Sequence, residues 1–512
     1  MNGFEVNGSQ LVALKKSNIV NRLGCLFEAR KRTYFYDTGT GKAVMLDQKV
    51  KDIFENLFSP NSNAQEFCLK WKQLTVENQN EICSFLNKEN LLQCPPLKKF
   101  SSSITDFSTK KIEIEQIILE LTEKCNLRCK YCIYNDYNKG NRDFSSSDMT
   151  FDIAKKSIDY GFAHHAKHFA ITFYGGEPLV NFSLMKQCIN YSLKNAPECE
   201  LTFSFTTNLT LMTPEIANFL VQIPGMNIVL SLDGPQEIHN TARVYANNKP
   251  TFEDAMRGLT HLTDAIKRHS SSTNLTVNSV FMPPYSVEKL EYINNFFENL
   301  DILPKTCTVK ITYPSPGTIP ERYLTELQTN SPSISETPNP LVEWMYKKAE
   351  EINFSECTKN LYYQQLQDVL ARIHQRFLVN KPYETFARNG CCTPGQRRLY
   401  ITTSGMFKIC ERIGDSPNIG DVNHGLDIDS IKKYYFDDYD AKSIPECANC
   451  WAIRLCNICY ASCFSMGGIN MEKKIFLCNT VRELFKEWLG LYYTILETHP
   501  ERLDYMRELT YL

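Results

Sequence analysis

The 512-residue chain predicts an α/β fold, a partial (β/α)6 barrel set between a small N-terminal α+β unit and a C-terminal cysteine-rich unit. Three observations predict it. Between Ile112 and Pro314 six short apolar stretches alternate with amphipathic helical patterns, as in a parallel sheet covered by helices. The first hundred residues read instead as strand, tight turn, strand and then helices. Of the 20 cysteines, three lie between Cys125 and Cys132 and nine between Cys391 and Cys478.

The length suggests about three domains. Lys plus Arg number 56 against 58 Asp plus Glu, a net charge of −2, so no whole-surface field draws in nucleic acid or an anionic membrane. No apolar run approaches the ~18 residues of a membrane helix. The start, MNGFEVNGSQLVALKKSN, lacks the apolar core of a secretory signal. These features predict a cytoplasmic protein with no nucleic-acid or membrane partner. Clustered cysteines in a reducing compartment bind metal or take part in catalysis rather than forming disulfides. The eight scattered ones (Cys25, Cys68, Cys83, Cys94, Cys188, Cys199, Cys307 and Cys357) read as small buried hydrophobes.

In the N-terminal unit, residues 1–100, Arg32 to Tyr36 reads as a strand, Asp37-Thr-Gly-Thr-Gly as a hairpin turn and Lys42 to Leu46 as its return. Val50, Ile53, Phe54 and Leu57 then share one helical face. Further helical stretches run around Phe67–Trp71 and Ile82–Leu92. Cys94-Pro-Pro and the polar run Lys98–Lys110 make a linker.

The barrel, residues 110–315, has candidate strands at Ile117–Leu121, Phe169–Tyr174, Leu201–Thr206, Asn227–Leu232, Leu275–Met282 and Thr308–Tyr313. Thr150 caps a helix whose Phe151, Ala154, Ile158 and Phe162 share a face, and Thr213-Pro214 places proline at a first helical position. Six units are too few to close an eightfold barrel, so an open, TIM-like partial barrel is expected. Residues 316–385 hold a Ser/Thr/Pro-rich stretch over 315–340, read as a mobile insertion, and a helical bridge from Leu341 to Phe377. The cysteine-rich unit spans 386–480. A closing helix, Val481 to Leu496, lies in 481–512.

Cys125-Asn-Leu-Arg-Cys129-Lys-Tyr-Cys132 follows the first barrel strand, at the end where parallel barrels place their active sites. Three thiolates hold three irons of a four-iron cluster and leave one iron open. Three cysteines without a nearby histidine suit tetrahedral structural zinc poorly, though zinc is the alternative. This C-x3-C-x2-C run resembles the signature of the radical S-adenosylmethionine superfamily, and the resemblance covers most of residues 112–480. It implies catalytic Cys125, Cys129 and Cys132 on a [4Fe-4S] cluster whose open iron chelates S-adenosylmethionine. An electron then splits the cofactor to methionine and a 5′-deoxyadenosyl radical, chemistry that belongs to the cofactor.

Other motifs resemble the same family. Gly175-Gly176-Glu177-Pro178 resembles its GGEP motif, which implies close backbone approach at the glycines and acceptance of the cofactor ammonium. Thr206-Thr207-Asn208 ends the next strand, where the family holds ribose. Ser231-Leu-Asp233-Gly234-Pro235, His239 and Arg243 resemble a stretch of the peptide-modifying branch. The resemblance makes Ser231 a ribose contact and Arg243 a partner of the cofactor carboxylate. For Asn208, Ser231 and Arg243 the alternative is an ordinary satisfied loop polar group.

Cys392-x12-Gly405-x4-Cys410, Cys447-x2-Cys450-x5-Cys456 and Cys478 resemble the SPASM extension, which carries two auxiliary [4Fe-4S] clusters. The resemblance assigns Cys447, Cys450, Cys456 and Cys478 to the distal cluster. It assigns Cys392, Cys410 and one of Cys459 or Cys463 to the proximal one. The chain departs from the pattern at Tyr460, where a cysteine is expected, and Cys391 beside Cys392 leaves a second choice open. The proximal cluster is thus one protein ligand short, with an open iron for a substrate thiolate. Two zinc ribbons are the alternative.

The N-terminal unit resembles the winged-helix-like recognition element of ribosomal-peptide maturases, which implies leader-peptide binding by strand addition; a plain structural cap is the alternative. Together these resemblances imply a maturase of a ribosomally made precursor peptide with a leader. Its product is a cysteine sulfur-to-carbon thioether of sactipeptide type, and its electrons come from a low-potential donor such as ferredoxin or flavodoxin. The alternatives are carbon–carbon cross-linking, formylglycine formation on a sulfatase, and a non-catalytic iron–sulfur or zinc scaffold that binds peptide.

Overall fold

Strand–turn–strand at the N-terminus becomes a three-stranded antiparallel sheet, β1 (Gly24–Ala29), β2 (Arg32–Asp37) and β3 (Ala43–Met45). The computed structural model describes residues 6–17, 19–101, 112–135, 142–314, 318–319, 344, 346–348, 360–388 and 390–507. β1 was not legible in the sequence. Its turn to β2 is Arg30-Lys31, both left-handed at φ 46° and 67°, without the Asn or Gly that marks such turns. The expected apolar face of helix Gln48–Phe58 is buried, and Phe35 packs on Phe54 and Phe58 with centroids 4.8 and 5.2 Å away. Helices Ala64–Gln73 and Val76–Glu89 follow.

This unit is docked on the far end of the chain. Thr38 Oγ1 donates to Trp451 O at 2.9 Å, Arg454 Nε to Thr38 O at 2.6 Å and Arg376 Nε to Gly41 O at 2.7 Å. Tyr493, from the closing helix Met471–Thr498, lies 5.4 Å from the Phe27 ring and 4.9 Å from that of Tyr34. β3 is left as an edge, with Met45 54 % exposed.

The main sheet has ten strands. Six run parallel in sequence order: β4 (Ile114–Thr122), β5 (His165–Gly175), β6 (Glu200–Thr207), β7 (Met226–Ser231), β8 (Asn274–Val280) and β9 (Thr308–Thr312). All six expected strands are present, each followed by helix before the next. Helix Phe151–Ala163 is capped by Thr150, whose side chain accepts from Ile153 N. Ile117, Leu119, Phe169 and Phe173 are buried, and Gly161 of that helix sits against Ile117 and Phe169. The alternate residues turn a polar row away from the helices: Gln116 Nε2 donates to Thr172 Oγ1, which bonds Ser204 Oγ, both at 2.6 Å. This is the period-2 alternation of a strand.

The sheet goes further than six strands. β10 (Leu399–Ile401) pairs parallel with β4, Leu399 opposite Ile117. β11 (Met406–Lys408), β12 (Gly420–Asp421) and β13 (Gly425–Leu426) continue it antiparallel. Cys410, two residues past β11, therefore follows a strand of the same sheet as the barrel. Strands of two or three residues are too short to show a period. Of the helical bridge, residues 344, 346–348 and 360–377 are described, with a helix over Leu361–His374. The linker from 102 to 111 and the 315–340 insertion, apart from 318–319, lie outside the described residues. Among the described residues no helix is long and apolar enough to cross a membrane.

Candidate functional site

The loop after β4 carries Cys125, Cys129 and Cys132 and is held on two sides by backbone. Arg128 N donates to Val244 O at 2.8 Å and Lys130 N to Ala242 O at 3.0 Å. On the other side Gly176 N donates to Thr122 O and Glu177 N to Lys124 O, both at 2.9 Å. A Cβ on Gly176 would stand 2.1 Å from Lys124 O, and one on Gly175, at φ +145°, 2.2 Å from Thr122 O. The close approach that these glycines allow is to the cysteine loop itself. Within the loop Cys132 N donates to Cys129 O at 3.0 Å and Leu127 N to Cys125 Sγ at 3.4 Å.

Burial pushes all three thiols up, Cys129 to about 12 although Arg243 pulls it down. Metal binding must therefore displace their protons. Arg243 is 6 % exposed; its Nη1 donates to Tyr131 Oη at 2.7 Å, and that hydroxyl donates to Asp233 Oδ2 at 2.6 Å. Among the described residues the buried Arg243 Nε has no hydrogen-bond partner. Asp233 Oδ1 accepts from Val280 N at 3.1 Å. His239 lies between Asp233 N (3.4 Å) and Thr251 Oγ1 (3.2 Å). Burial and Arg243 lower its pKa to about 3, so it is neutral and props the loop.

Glu177 of the GGEP motif is 2 % exposed and turns to neighbouring backbone: Oε2 accepts from Asn208 N at 2.7 Å and Oε1 from Leu179 N at 3.2 Å. Burial raises its pKa to about 7 against those bonds. Pro178 opens the short helix that follows. Asn208 Nδ2 donates to Asn126 Oδ1 at 2.9 Å, tying the end of β6 to the cysteine loop, and Ser231 is buried at the end of β7. The structure thus sets Gly176, Glu177 and Asn208 against the cysteine loop and bonds Arg243 to its Tyr131, with Ser231 at the end of β7. It adds Asn126, Tyr131 and Asp233, which sequence reasoning missed as site residues. Tyr131 carried a signal, since it stands between two of the motif's cysteines.

The second group of cysteines separates into two sets. Cys447, Cys450, Cys456 and Cys478 line a cavity of about 60 Å³ with Tyr439, Lys474 and Arg482. Cys392, Cys410 and Cys459 lie within electrostatic reach of one another. Cys391 and Cys463 stand between: Cys391 Sγ is 3.6 Å from Tyr439 Oη, and Cys463, wholly buried, is 3.3 Å from Cys459 O. Tyr460, where the pattern expects cysteine, packs on Tyr435, Tyr439 and Phe464 with its Oη donating to Tyr435 O.

A pocket of about 310 Å³ lies between the two regions, walled by Glu120, Tyr134 and Arg142 on one side and Tyr400, Lys408 and Glu411 on the other. Arg142 lies 3.8 Å over the Tyr134 ring and its Nε donates to Glu120 Oε1 at 2.7 Å. Among the described residues the buried Tyr134 hydroxyl and Glu411 Oε2 have no hydrogen-bond partner. None of these wall residues carried a signal in the sequence.

The donor set can be tested against the implied groups. Three half-buried thiols on one short loop are the ligands an iron–sulfur cluster takes, and Arg243 Nε is a spare cationic donor for a carboxylate. Among the described residues no three His, Cys, Asp or Glu side chains converge on a single metal ion.

Residues 119–297 match the family model of the radical SAM superfamily. An uncharacterized protein of Methanocaldococcus jannaschii is 33 % identical over 183 residues, 36 % of this chain and 59 % of that one. The radical SAM cyclopropyl synthase TigE of Paramaledivibacter caminithermalis is 25 % identical over 193 residues, 36 % and 38 % of the two chains. A cysteine-type anaerobic sulfatase-maturating enzyme of Clostridium novyi is 29 % identical over 148 residues, 28 % and 39 %. The chain thus spans between 38 % and 59 % of the length of these relatives. The solved structure of histidine-tagged anSMEcpe with bound AdoMet has a TM-score of 0.51 at 17 % identity, covering 78 % of this chain and 96 % of that one, a likeness of fold. The chain carries a radical SAM domain over residues 119–297, the domain of a family that binds a [4Fe-4S] cluster and S-adenosylmethionine.

Proposed function

We propose that the chain is a radical SAM maturase that modifies a ribosomally synthesised precursor peptide, joining a cysteine sulfur to a carbon as a thioether. The observation that carries the reading is the pocket between the Cys132 loop and the Cys410 segment, which β10 brings against β4. A peptide residue held there would lie between the two metal-binding regions. When bound to the first cluster, S-adenosylmethionine supplies hydrogen-atom abstraction. Cys125, Cys129 and Cys132 would hold that cluster. The Arg243–Tyr131–Asp233 chain would orient the cofactor carboxylate, the Gly175–Pro178 backbone its ammonium, and Asn208 and Ser231 its ribose. Cys447, Cys450, Cys456 and Cys478 would hold a distal auxiliary cluster, and Cys392, Cys410 and Cys459 a proximal one with an open iron. Cys459 is preferred to Cys463 because it neighbours both other ligands.

In this reading residues 1–100 form a winged-helix-like recognition unit, 386–480 a SPASM unit, and the protein is cytoplasmic with ferredoxin or flavodoxin as electron donor. The exposed β3 edge offers main-chain bonds to a leader strand. Formylglycine formation on a sulfatase is the second reading, favoured by the sulfatase-maturating relatives.

The test uses reconstituted enzyme, S-adenosylmethionine, a strong reductant and a cysteine-containing peptide encoded beside the gene. Thioether formation removes the thiol hydrogen and one carbon-bound hydrogen. The product should therefore lose two hydrogens and one alkylatable thiol. Peptide that consumes cofactor yet keeps every thiol alkylatable defeats the thioether assignment.

A further inference from the structure

Helix Met471–Thr498 places Lys474, Cys478 and Arg482 at successive four-residue steps, so the three share one face. That face meets the cavity formed with Cys447, Cys450 and Cys456. Lys474 is 2 % exposed. Its Nζ donates to Ser443 Oγ at 2.6 Å and Tyr439 Oη at 3.1 Å and lies 4.3 Å from the Tyr439 ring centroid. Among the described residues it forms no ion pair. Among the described carboxylates near it, Asp440 is engaged by Arg388 Nε at 2.9 Å, and Glu446 lines the same cavity without an ion pair to Lys474. Four thiols lie in its field: Cys391, Cys447, Cys463 and Cys478. Arg482, half-buried, approaches Cys450 Sγ at 3.9 Å.

An ammonium removed from water and given two hydroxyls and a ring is poorly compensated; an anionic neighbour is what such a burial requires. Neutral thiols do not supply that charge, whereas a four-iron cluster on four thiolates does. Its net charge is about 2− oxidised and 3− reduced. We propose that Lys474 is the built-in counter-ion of the centre held by Cys447, Cys450, Cys456 and Cys478, and that it sets that centre's reduction potential. This rests on the reading of those cysteines as an auxiliary cluster site. The step is a one-electron reduction supplied by the donor, with no bond made and no proton moved. The added negative charge lies beside a buried cation, so the reduced state is favoured. Arg482 does the same more weakly, because water screens a half-exposed charge.

The experiment uses full-length protein with Cys125, Cys129 and Cys132 replaced by alanine, so that only the auxiliary centres report. Midpoints are read by EPR during anaerobic redox titration for Lys474→Met, Lys474→Arg and Arg482→Met. In Lys474→Met one midpoint should fall by about 59 mV or more, a tenfold fall in the reduced-to-oxidised ratio at the original midpoint. Lys474→Arg should stay near the parent and Arg482→Met should shift less. Iron lost in Lys474→Met and restored in Lys474→Arg also supports the counter-ion role. An unchanged midpoint in Lys474→Met with full iron overturns the proposal, as does equal iron loss in both lysine variants, which marks a packing residue. A parent that takes up zinc or no auxiliary iron overturns the cluster reading itself, and this proposal with it.

Discussion

The first cysteine loop and the second cysteine-rich region use the same side chain in opposite ways. Cys125, Cys129 and Cys132 lie within eight residues on one loop, and backbone bonds from residues 122–124, 176–177 and 242–244 fix that loop. From Cys391 to Cys478 nine cysteines are spread over a short sheet segment, small turns and the closing helix, and there are more thiols than two clusters require. A local motif names its own ligands through spacing. A dispersed one names a region, and tertiary packing chooses among its members.

The largest break in that comparison comes from replacing Cys125, Cys129 and Cys132 together with alanine. Reconstituted wild type should hold about twelve irons, and the triple variant about eight, with all S-adenosylmethionine cleavage lost. Iron analysis and deoxyadenosine release check this. Zinc in the wild type, or cleavage that survives in the variant, defeats the assignment. By contrast Cys410→Ala should leave cleavage intact and abolish cross-linking if, as proposed, the proximal site holds the substrate sulfur beside the carbon radical. Normal thioether product from Cys410→Ala would remove that site from the chemistry.

Gly176→Ala tests the neighbouring motif. Its Cβ would meet Lys124 O at 2.1 Å and Cys125 N at 2.9 Å, so backbone must shift. A cost of about 3 kcal/mol is expected for such overpacking, read by chemical denaturation. About four irons should be lost selectively from the first site. Full iron and unaltered stability would show that the loop has slack.

Much of this was legible in the sequence. The six barrel strands hold apolar runs and span five to eleven residues, long enough to stand out between helical patterns, Thr150 caps its helix and Pro214 opens another as read. Backbone bonds tie GGEP to the cysteine loop, and Arg243 bonds Tyr131 within it. What stayed hidden depends on distant pairings. β10 is three residues that become a strand only by lying against β4, and β1 turns through Arg30-Lys31 without a turn residue. Glu120 and Arg142 form a buried pair although each reads as an ordinary charge in sequence. The Pro-Pro linker suggested a detached N-terminal unit, yet Thr38 and Gly41 bond to residues 376 and 451–454.

The choice between Cys459 and Cys463 sharpens the comparison at smaller scale. Cys459 neighbours Cys392 and Cys410, whereas Cys463 neighbours Lys474 and Cys478. Cys459→Ala should lower iron by up to about four per chain and remove cross-linking with cleavage retained. Cys463→Ala should keep both. Equal loss in the two variants would mean that both ligate and that the proximal site is closed.

The smallest effect belongs to the first region and is read by pH. Glu177 is buried, and its carboxyl rises from 4.5 to about 7 because desolvation outweighs the backbone donors Asn208 N and Leu179 N, Thr207 and Arg243. A raised pKa means that the fold favours the protonated acid. The associated stability is fully present below about pH 4.5 and is lost as pH rises through about 7. That span corresponds to about 3 kcal/mol. Glutamine keeps the shape and cannot ionise, at a fixed cost for the lost acceptor that does not vary with pH. Iron-free wild type and Glu177→Gln should be unfolded by denaturant under reducing conditions from pH 4.5 to 8. Their stability difference should move in favour of glutamine by about 3 kcal/mol across that window, since other titrating groups cancel. A pH-independent difference would mean that Glu177 is ionised throughout in the fold, with its two backbone donors outweighing burial.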